Sequence, residues 1–320
     1  MENNNKHLRP DPQINGKVSV ANKKAIINKV LDSFNNQLRL EKEIAKDNID
    51  VQAIKVASNI TDELILSCGG KPFDVSADNI HILPETEFLK KQNEQDIRGI
   101  YLANQQSILI NANLTTNSYI RTATIFHEII HFKSYLSFIA EENTFSPLQK
   151  GIAVDIYDNK KPENVCCHGF LGLAEAVVSD IQKQYFNSLI SRCYLLEEEK
   201  ARQNSSEVIM VKKEIAIREM IGETNEIMHI ADDGSFVRFP YYPQRKVLYL
   251  VAAAIFGGND SALNWKAAKA FYQAHFLGKT DILINKIIKT FGREFLALLR
   301  AMSDNNSAYL LINYINDQKH

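Results

Sequence analysis

The chain has 320 residues, of which 45% are apolar and 23% are charged, as is usual for a globular protein with a substantial core. Its formal net charge is −1, so no overall field favours binding to nucleic acid or to an anionic membrane surface. We therefore expect neither kind of partner. The longest apolar run, "VLYLVAAAIF", is too short to span a bilayer.

The N-terminal sequence and the cysteines predict a cytoplasmic protein. The segment "MENNNKHLRPDPQINGK" lacks the apolar stretch of a secretory signal, and its polar composition predicts a disordered tail over residues 1–20. The four cysteines have irregular spacing, which favours reduced thiols over a disulfide framework. They are Cys68, Cys166, Cys167 and Cys193.

The first half of the chain predicts helices around a small sheet. Apolar residues recur every three or four positions through residues 21–66, which indicates helix. A short strand, "NIHILP", and a hairpin, "GIYLANQQSILINA", follow. The next segment, "TTNSYIRTATIFHEIIHFKSYLSFIAEEN", predicts one helix capped by Thr116 or Asn117. "QKGIAVDIYD" predicts another strand.

The second half predicts helices almost throughout. "FLGLAEAVVSDIQKQYFNSLISRCYLLEEEK" has a strong helical pattern, and residues 200–235 predict further helix with "ADDGS" as a turn. Several helices separated by glycines follow "FPYYP". We therefore predict a helix-dominant α+β fold, with a small mixed sheet followed by an all-helical second half.

The motif HEIIH, from His127 to His131, predicts a metal site on a helix. Residues four apart lie one turn apart on the same helix face, so the two imidazoles can bind one zinc ion. Glu128 flanks that position, where it can take a proton from a metal-bound water. The motif also occurs by chance, so it needs support from other residues.

A catalytic zinc ion requires a third protein ligand. The extended motif HExxHxxGxxH is absent, because Ser134 and Ser137 occupy its last two defined positions. Glu175 lies in an otherwise apolar stretch, and a buried carboxylate requires a partner such as a dication. Asp155 and Asp158 in "VDIYD" are the alternative carboxylates.

Over roughly residues 75–190, the hairpin, the HEIIH helix and the "EAVVSD" segment resemble the gluzincin metallopeptidases, especially their compact, minigluzincin-type members. The resemblance implies a Zn²⁺ ion bound by His127, His131 and Glu175, with Glu128 as general base. The sequence departs from the family pattern four residues after Glu175, where the expected aspartate is Ser179 and Asp180 comes next. We expect Ser179 or Asp180 to orient the first histidine.

The segment "FPYYPQRKVLYL" supplies candidates for stabilising an oxyanion, namely Tyr241, Tyr242 and Arg245. We assign this catalytic role to Tyr242 and Arg245. The opposing interpretation is a proline-capped helix start with packing tyrosines. Of two further histidines, His229 is a weaker candidate for this role, and His168 in "VCCHG" could line the cleft.

The expected function is that of a zinc-dependent endopeptidase acting on peptides or proteins. The substrate would lie antiparallel to the strand near Ser107–Asn111. The predicted regions are the tail at 1–20, a zincin-like catalytic region at 21–190 and a helical region at 191–320 packed on the cleft. One alternative is an inactive or latent zincin-like binding or regulatory protein that uses its C-terminal helices as an interaction surface. Another is an all-helical protein in which HEIIH is structural.

Overall fold

The computed structural model describes residues 13–15, 23–29, 40–91, 96–141, 144–158 and 161–318. Helix α1 covers residues 23–29. The other helices are α2 (Asn48–Ser67), α3 (Glu85–Lys91), α4 (Ser118–Phe132), α5 (Leu171–Arg192), α6 (Glu197–Gln203), α7 (Ser206–Arg218), α8 (Tyr242–Phe256), α9 (Trp265–Leu277), α10 (Asp281–Ala301) and α11 (Asn305–Asp317). The strands are β1 (Gln13–Asn15), β2 (Ile80–Leu83), β3 (Gly99–Leu102), β4 (Ser107–Asn111), β5 (Leu136–Glu141), β6 (Thr144–Lys150), β7 (Ala153–Asp158), β8 (Lys161–Gly169), β9 (Ile227–Ile230) and β10 (Phe236–Arg238). The predicted helix-dominant α+β class is confirmed.

A small mixed sheet has the strand order β2-β4-β3. β2 runs parallel to β4, and β3 runs antiparallel to it, so the predicted strand and hairpin are confirmed. All five residues of β4 are buried, as expected for the central strand of a sheet covered on both faces. Because β2 and β3 occupy both sides of β4, β3 forms the edge of this sheet within the described structure.

The helix that carries HEIIH, α4, begins at the predicted cap. The side-chain oxygen of Asn117 accepts hydrogen bonds from the backbone N–H groups of Tyr119 and Ile120. The helix ends at Phe132, so its predicted continuation to residue 143 is wrong. Lys133 terminates it: its buried amino group donates to the Ser58 carbonyl at 3.1 Å and to Asp62 at 2.5 Å. The chain then enters β5, where aromatic and aliphatic residues suit a sheet.

A second sheet has the order β1-β5-β6-β7-β8, and its strands β5 to β8 lie between α4 and α5 in the sequence. The predicted strand "QKGIAVDIYD" comprises the end of β6 and all of β7, joined by a turn at Gly151, which has a φ of +60°. β1 pairs parallel to β5, so residues 13–15 are ordered by sheet pairing, contrary to the predicted disordered tail. Residues 1–12 and 16–20 lie outside the described residues.

The predicted helical region 21–66 contains a break. Residues 40–47 are not helical, and α2 starts at Asn48. Asp47 and Asp50 form a reciprocal capping box there, each side chain accepting from the other's backbone N–H. Residues 30–39 lie outside the described part of the chain.

The C-terminal half is helical apart from one hairpin. β9 and β10 pair antiparallel around the predicted "ADDGS" turn, so the predicted all-helical half is wrong at this point. α10 contains a break at Gly292, whose φ of +86° suits only glycine. α8 packs against α5 and α11, and α9 contacts α2 and α5. Among the described helices, none has the length and apolar character needed to cross a membrane.

Candidate metal centre

Three predicted ligands come together between α4 and α5. His127 and His131 lie one turn apart on α4, and Glu175 lies on α5. Oε2 of Glu175 is 3.2 Å from Nε2 of His131 and 3.4 Å from Nε2 of His127. Two ligands about 2.0–2.1 Å from a tetrahedral zinc ion are about 3.3–3.4 Å apart. The two separations therefore match the edges of such a site, and potential ligand atoms of the three residues all lie within 4.8 Å of one another.

The backbone at the start of α5 positions Glu175. Phe170 precedes this helix in a left-handed conformation with a φ of 60°, and its N–H donates to the Arg300 carbonyl at 2.8 Å. Gly172 donates to the Met302 carbonyl at 2.9 Å, and a Cβ at Gly172 would lie 2.8 Å from that oxygen. The end of α10 thus fixes the first turn of α5, and Glu175 follows one turn later.

The charges of the three groups are mutually stabilising. Burial would raise the pKa of the Glu175 carboxyl, but His131 and His127 outweigh burial and hold the pKa well below its usual range. Burial opposes protonation of His131, yet the neighbouring Glu175 leaves its pKa raised. Hence without a metal ion the lowered pKa of Glu175 and the raised pKa of His131 favour a pair of carboxylate and imidazolium. A metal cation can take the place of the proton shared by these groups, because imidazole nitrogens and carboxylate oxygens both bind zinc.

Glu128 faces the edge strand of the small sheet. Its side chain is 6% exposed, and a Cβ on Gly99 would lie 3.0 Å from its Cγ and 3.1 Å from its Oε1. Burial raises the pKa of Glu128 and Glu175 adds to that effect, while His127, His131 and the backbone N–H of Tyr101 oppose it without cancelling it. A carboxyl group with a raised pKa is suited to taking up and returning a proton near neutral pH.

The residue that orients His127 is Gln182, which the sequence interpretation missed. Nδ1 of His127 donates to Oε1 of Gln182 at 3.3 Å, and Nε2 of Gln182 donates to the Ala123 carbonyl at 2.8 Å. The second bond fixes the orientation of the amide, so its oxygen faces the histidine and Nε2 of His127 faces Glu175. Gln182 lies two turns after Glu175 on the same face of α5, and this spacing could have identified it.

Ser179 and Asp180, the predicted partners of His127, have other contacts. Asp180 is fully buried and accepts hydrogen bonds from the hydroxyls of Tyr249 at 2.8 Å and Tyr272 at 3.0 Å. Ser179 donates to the Pro240 carbonyl at 2.6 Å. The prediction that one of them orients the histidine is therefore wrong, because Asp180 pairs with tyrosines of α8 and α9 and Ser179 with the segment before α8.

Of the three oxyanion candidates, Tyr241 is the one beside the histidines. Its ring stacks on that of His127 with a centroid separation of 6.1 Å. Tyr242 instead lies against the guanidinium groups of Arg238 and Arg245. Tyr241 has a φ of 56°, a left-handed conformation that is uncommon for a tyrosine and is typical of functional sites.

Arg245 is buried and paired with Glu226 through both terminal nitrogens. Its Nε donates to the Pro240 carbonyl at 3.2 Å, and its backbone N–H donates to the Tyr241 carbonyl at 2.9 Å. The guanidinium of Arg245 is buried and bonded to Glu226 and Pro240, contrary to its predicted catalytic role. Arg245, together with Ser179, instead fixes the segment that carries Tyr241.

Of the remaining candidates, Asp155, His168 and His229 have partners outside the three-residue cluster. Asp155 is buried and pairs with Lys150 at 3.2 Å and with the exposed His168 at 2.8 Å. His229 is buried and contacts Glu199 at 2.8 Å. The Asp158 side chain lies outside the described residues, as do those of Cys166 and Cys167, whereas Cys68 and Cys193 are buried free thiols.

His275, on α9, was not predicted to belong to the site. Its ring packs against His131 with a centroid separation of 6.3 Å, and the side chain is 1% exposed. Burial lowers the pKa of His275 to about 3, and the neighbouring His131 adds to this effect. A backbone contact with Ile130 opposes the effect only in part. His275 therefore packs as an uncharged ring against His131.

Comparisons with protein-family models, with curated proteins and with solved structures find no match to this chain.

Proposed function

We propose that this protein is a zinc-dependent peptidase of the gluzincin type. The observation that carries the proposal is the His127, His131 and Glu175 cluster, in which the separations of Glu175 from both histidines fit a tetrahedral zinc site. Three protein ligands leave one position open, as in catalytic zinc sites. Glu128 lies on the same helix between the two histidines, where a general base is required.

A zinc ion held there would polarise the scissile carbonyl and lower the pKa of a water molecule. The protein's own contribution begins with Glu128, which accepts a proton from the attacking water and passes it to the leaving amine. Its raised pKa favours this two-way transfer. Gln182 keeps His127 in the tautomer that directs Nε2 towards the metal position.

The substrate pairs with β3 rather than with β4, because both sides of β4 are occupied. The backbone N–H of Asn111 donates to the Arg98 carbonyl, so Arg98 is a residue of β3's side of the ladder that bonds to β4. In an antiparallel pair such residues alternate with residues whose backbone groups point away from the neighbouring strand. The backbone groups of Gly99, one residue later, consequently point away from β4. An extended peptide can add at this edge and pass close to Glu128.

Tyr241 is the proposed oxyanion donor. Its ring lies against His127, and the segment carrying it is fixed at Pro240 by both Ser179 and Arg245. A donor held in a fixed orientation stabilises developing negative charge without reorganising during the reaction.

The proposal is tested by measuring metal content and peptide cleavage on the same protein. We expect about one zinc per chain by elemental analysis, with cleavage of a peptide library that chelation abolishes and added zinc restores. Glu128→Gln should retain the zinc and lose at least about a hundredfold in rate. His131→Ala should lose both.

Three results would contradict this function in whole or in part. Absence of bound zinc after loading and dialysis would exclude the metal site. Zinc binding with cleavage unaffected by Glu128→Gln would remove Glu128 as the base. A zinc-loaded protein that cleaves no peptide would support the inactive zincin-like alternative instead.

A further inference from the structure

Arg98 is a partly buried arginine for which the described structure provides no partner. It directly precedes β3, and among the described residues none forms an ion pair, a side-chain hydrogen bond or a ring contact with its guanidinium. Other arginines of similar burial are paired: Arg121 with Asp47 and Asp50, for example. Burial lowers the pKa of Arg98, and among the described residues no acidic group offsets the effect.

Strand alternation places the side chain of Arg98 on the face of the sheet opposite α4, because the backbone at Arg98 still accepts the ladder hydrogen bond from the Asn111 N–H. Gly99 faces α4, since its Cβ would lie 2.8 Å from Thr124. Ile100, the next residue, packs on the opposite face in a cluster with Leu83 and Phe88. Because side chains alternate along a strand, Arg98 shares the face of Ile100.

The ladder fixes which substrate residue would meet Arg98. A peptide paired antiparallel to β3 exchanges backbone hydrogen bonds with Gly99, and the adjacent peptide residue lies directly opposite Arg98. Side chains that are directly opposite across an antiparallel pair share a face, with Cβ atoms about 4.5–5.5 Å apart. A carboxylate at that position is within reach of the guanidinium. Arg98 adjoins Gly99, which contacts Glu128, so the position lies close to the scissile bond.

We propose that Arg98 selects substrates that carry Asp or Glu at the position opposite it, one residue from the one that pairs with Gly99. This inference rests on the proposed peptidase function and names its substrate class as acidic peptides. The acidic side chain provides a charge partner that the described residues do not supply, and a planar guanidinium can bind a carboxylate through two parallel hydrogen bonds.

The test uses the full-length zinc-loaded protein and a peptide library with all residues at each position. We expect an acidic residue to be enriched at one position near the cleavage site. Two matched peptides, differing only by Glu or Gln at that position, then give a ratio of kcat/KM of about five to ten in favour of Glu. Arg98→Gln should bring this ratio to about one, and Arg98→Glu should invert it.

Controls separate charge recognition from damage to the fold. Arg98→Lys should keep part of the preference, since it keeps the charge, and Arg293→Gln on α10 should keep all of it. Zinc content is measured for every variant. Zinc-dependent cleavage without an acidic preference, or a preference that persists in Arg98→Gln, would overturn this inference and leave the peptidase function standing. Absence of zinc-dependent cleavage would overturn both.

Discussion

Gln182 receives a hydrogen bond from Nδ1 of His127 across 3.3 Å and links α5 to the HEIIH helix. It is held in turn by the Ala123 carbonyl, one turn before the histidine. Helix α5 therefore contributes both Glu175 as a predicted ligand and Gln182 as the residue that orients another ligand. This arrangement makes the geometry of the cluster depend on the packing of α4 against α5.

The first prediction follows from that bond. Gln182→Ala should weaken zinc binding by about 10- to 100-fold, because the histidine loses the partner that fixes its tautomer and ring orientation. Competition with a chelator of known affinity measures the change. Gln184→Ala, two residues further along the same helix, is the control and should change zinc affinity little. Equal affinities for wild type and Gln182→Ala would contradict the orienting role.

Tyr241→Phe should lower kcat by about a hundredfold, because one oxyanion donor is removed, while zinc content stays unchanged. Tyr242→Phe is the matched control, since that ring lies against Arg238 and Arg245 instead of His127. Steady-state kinetics on one peptide distinguish the two. A larger loss in Tyr242→Phe would restore the assignment that the sequence favours.

Gly99→Ala should impair catalysis and retain zinc. The added Cβ would lie 2.8 Å from Thr124 and 3.0 Å from Glu128, so the general base or the edge strand must shift. A displacement of about 1 Å at a catalytic group can cost about a hundredfold in rate. Gly222→Ala is the control, because its Cβ would meet no atom within 4 Å. An active Gly99→Ala protein would show that this close approach is not needed.

Arg245→Met should destabilise the protein by about 3–5 kcal/mol, because it leaves the buried Glu226 without its main partner. Lys183, which is 2.6 Å from Glu226, should keep the loss towards the lower end. Urea unfolding measures the free energy. Arg192→Met removes an exposed pair with Glu63 and should cost at most about 1 kcal/mol.

His275 predicts a specific acid sensitivity of the metal-free protein. Its pKa is about 3 in the folded state, because the ring is buried, and about 6.5 in an unfolded chain. Between these values the unfolded state binds the additional proton, so the free energy of unfolding falls as the pH falls below about 6.5. From pH 7 to pH 4.5 this contribution amounts to about 2 to 3 kcal/mol.

His275→Gln should remove that contribution, since glutamine does not titrate. Urea unfolding of both proteins at a series of pH values, with chelator present, gives the two slopes. The wild type should lose stability more steeply than the variant from pH 6.5 downwards. Parallel slopes would show that the folded protein accepts a proton on His275 as readily as the unfolded chain does.

The sequence by itself determined the features that depend on neighbouring residues. A spacing of four places His127 and His131 on one face of α4, and the short oxygen of Asn117 caps that helix, because both depend only on helical geometry. The strand and hairpin that form the small sheet were likewise predicted from local patterns. The proximity of Glu175 was anticipated because an apolar helix face does not bury a carboxylate without a partner.

Tertiary structure alone decided which residues surround that cluster. Tyr241 and Tyr242 are adjacent in the sequence, yet the left-handed backbone at Tyr241 turns only its ring towards His127. Asp180 was a plausible partner of a histidine, but its carboxylate faces Tyr249 and Tyr272 from distant helices. These contacts depend on the long-range packing of α5, α8 and α9. The local sequence does not determine which distant side chain will occupy a given position.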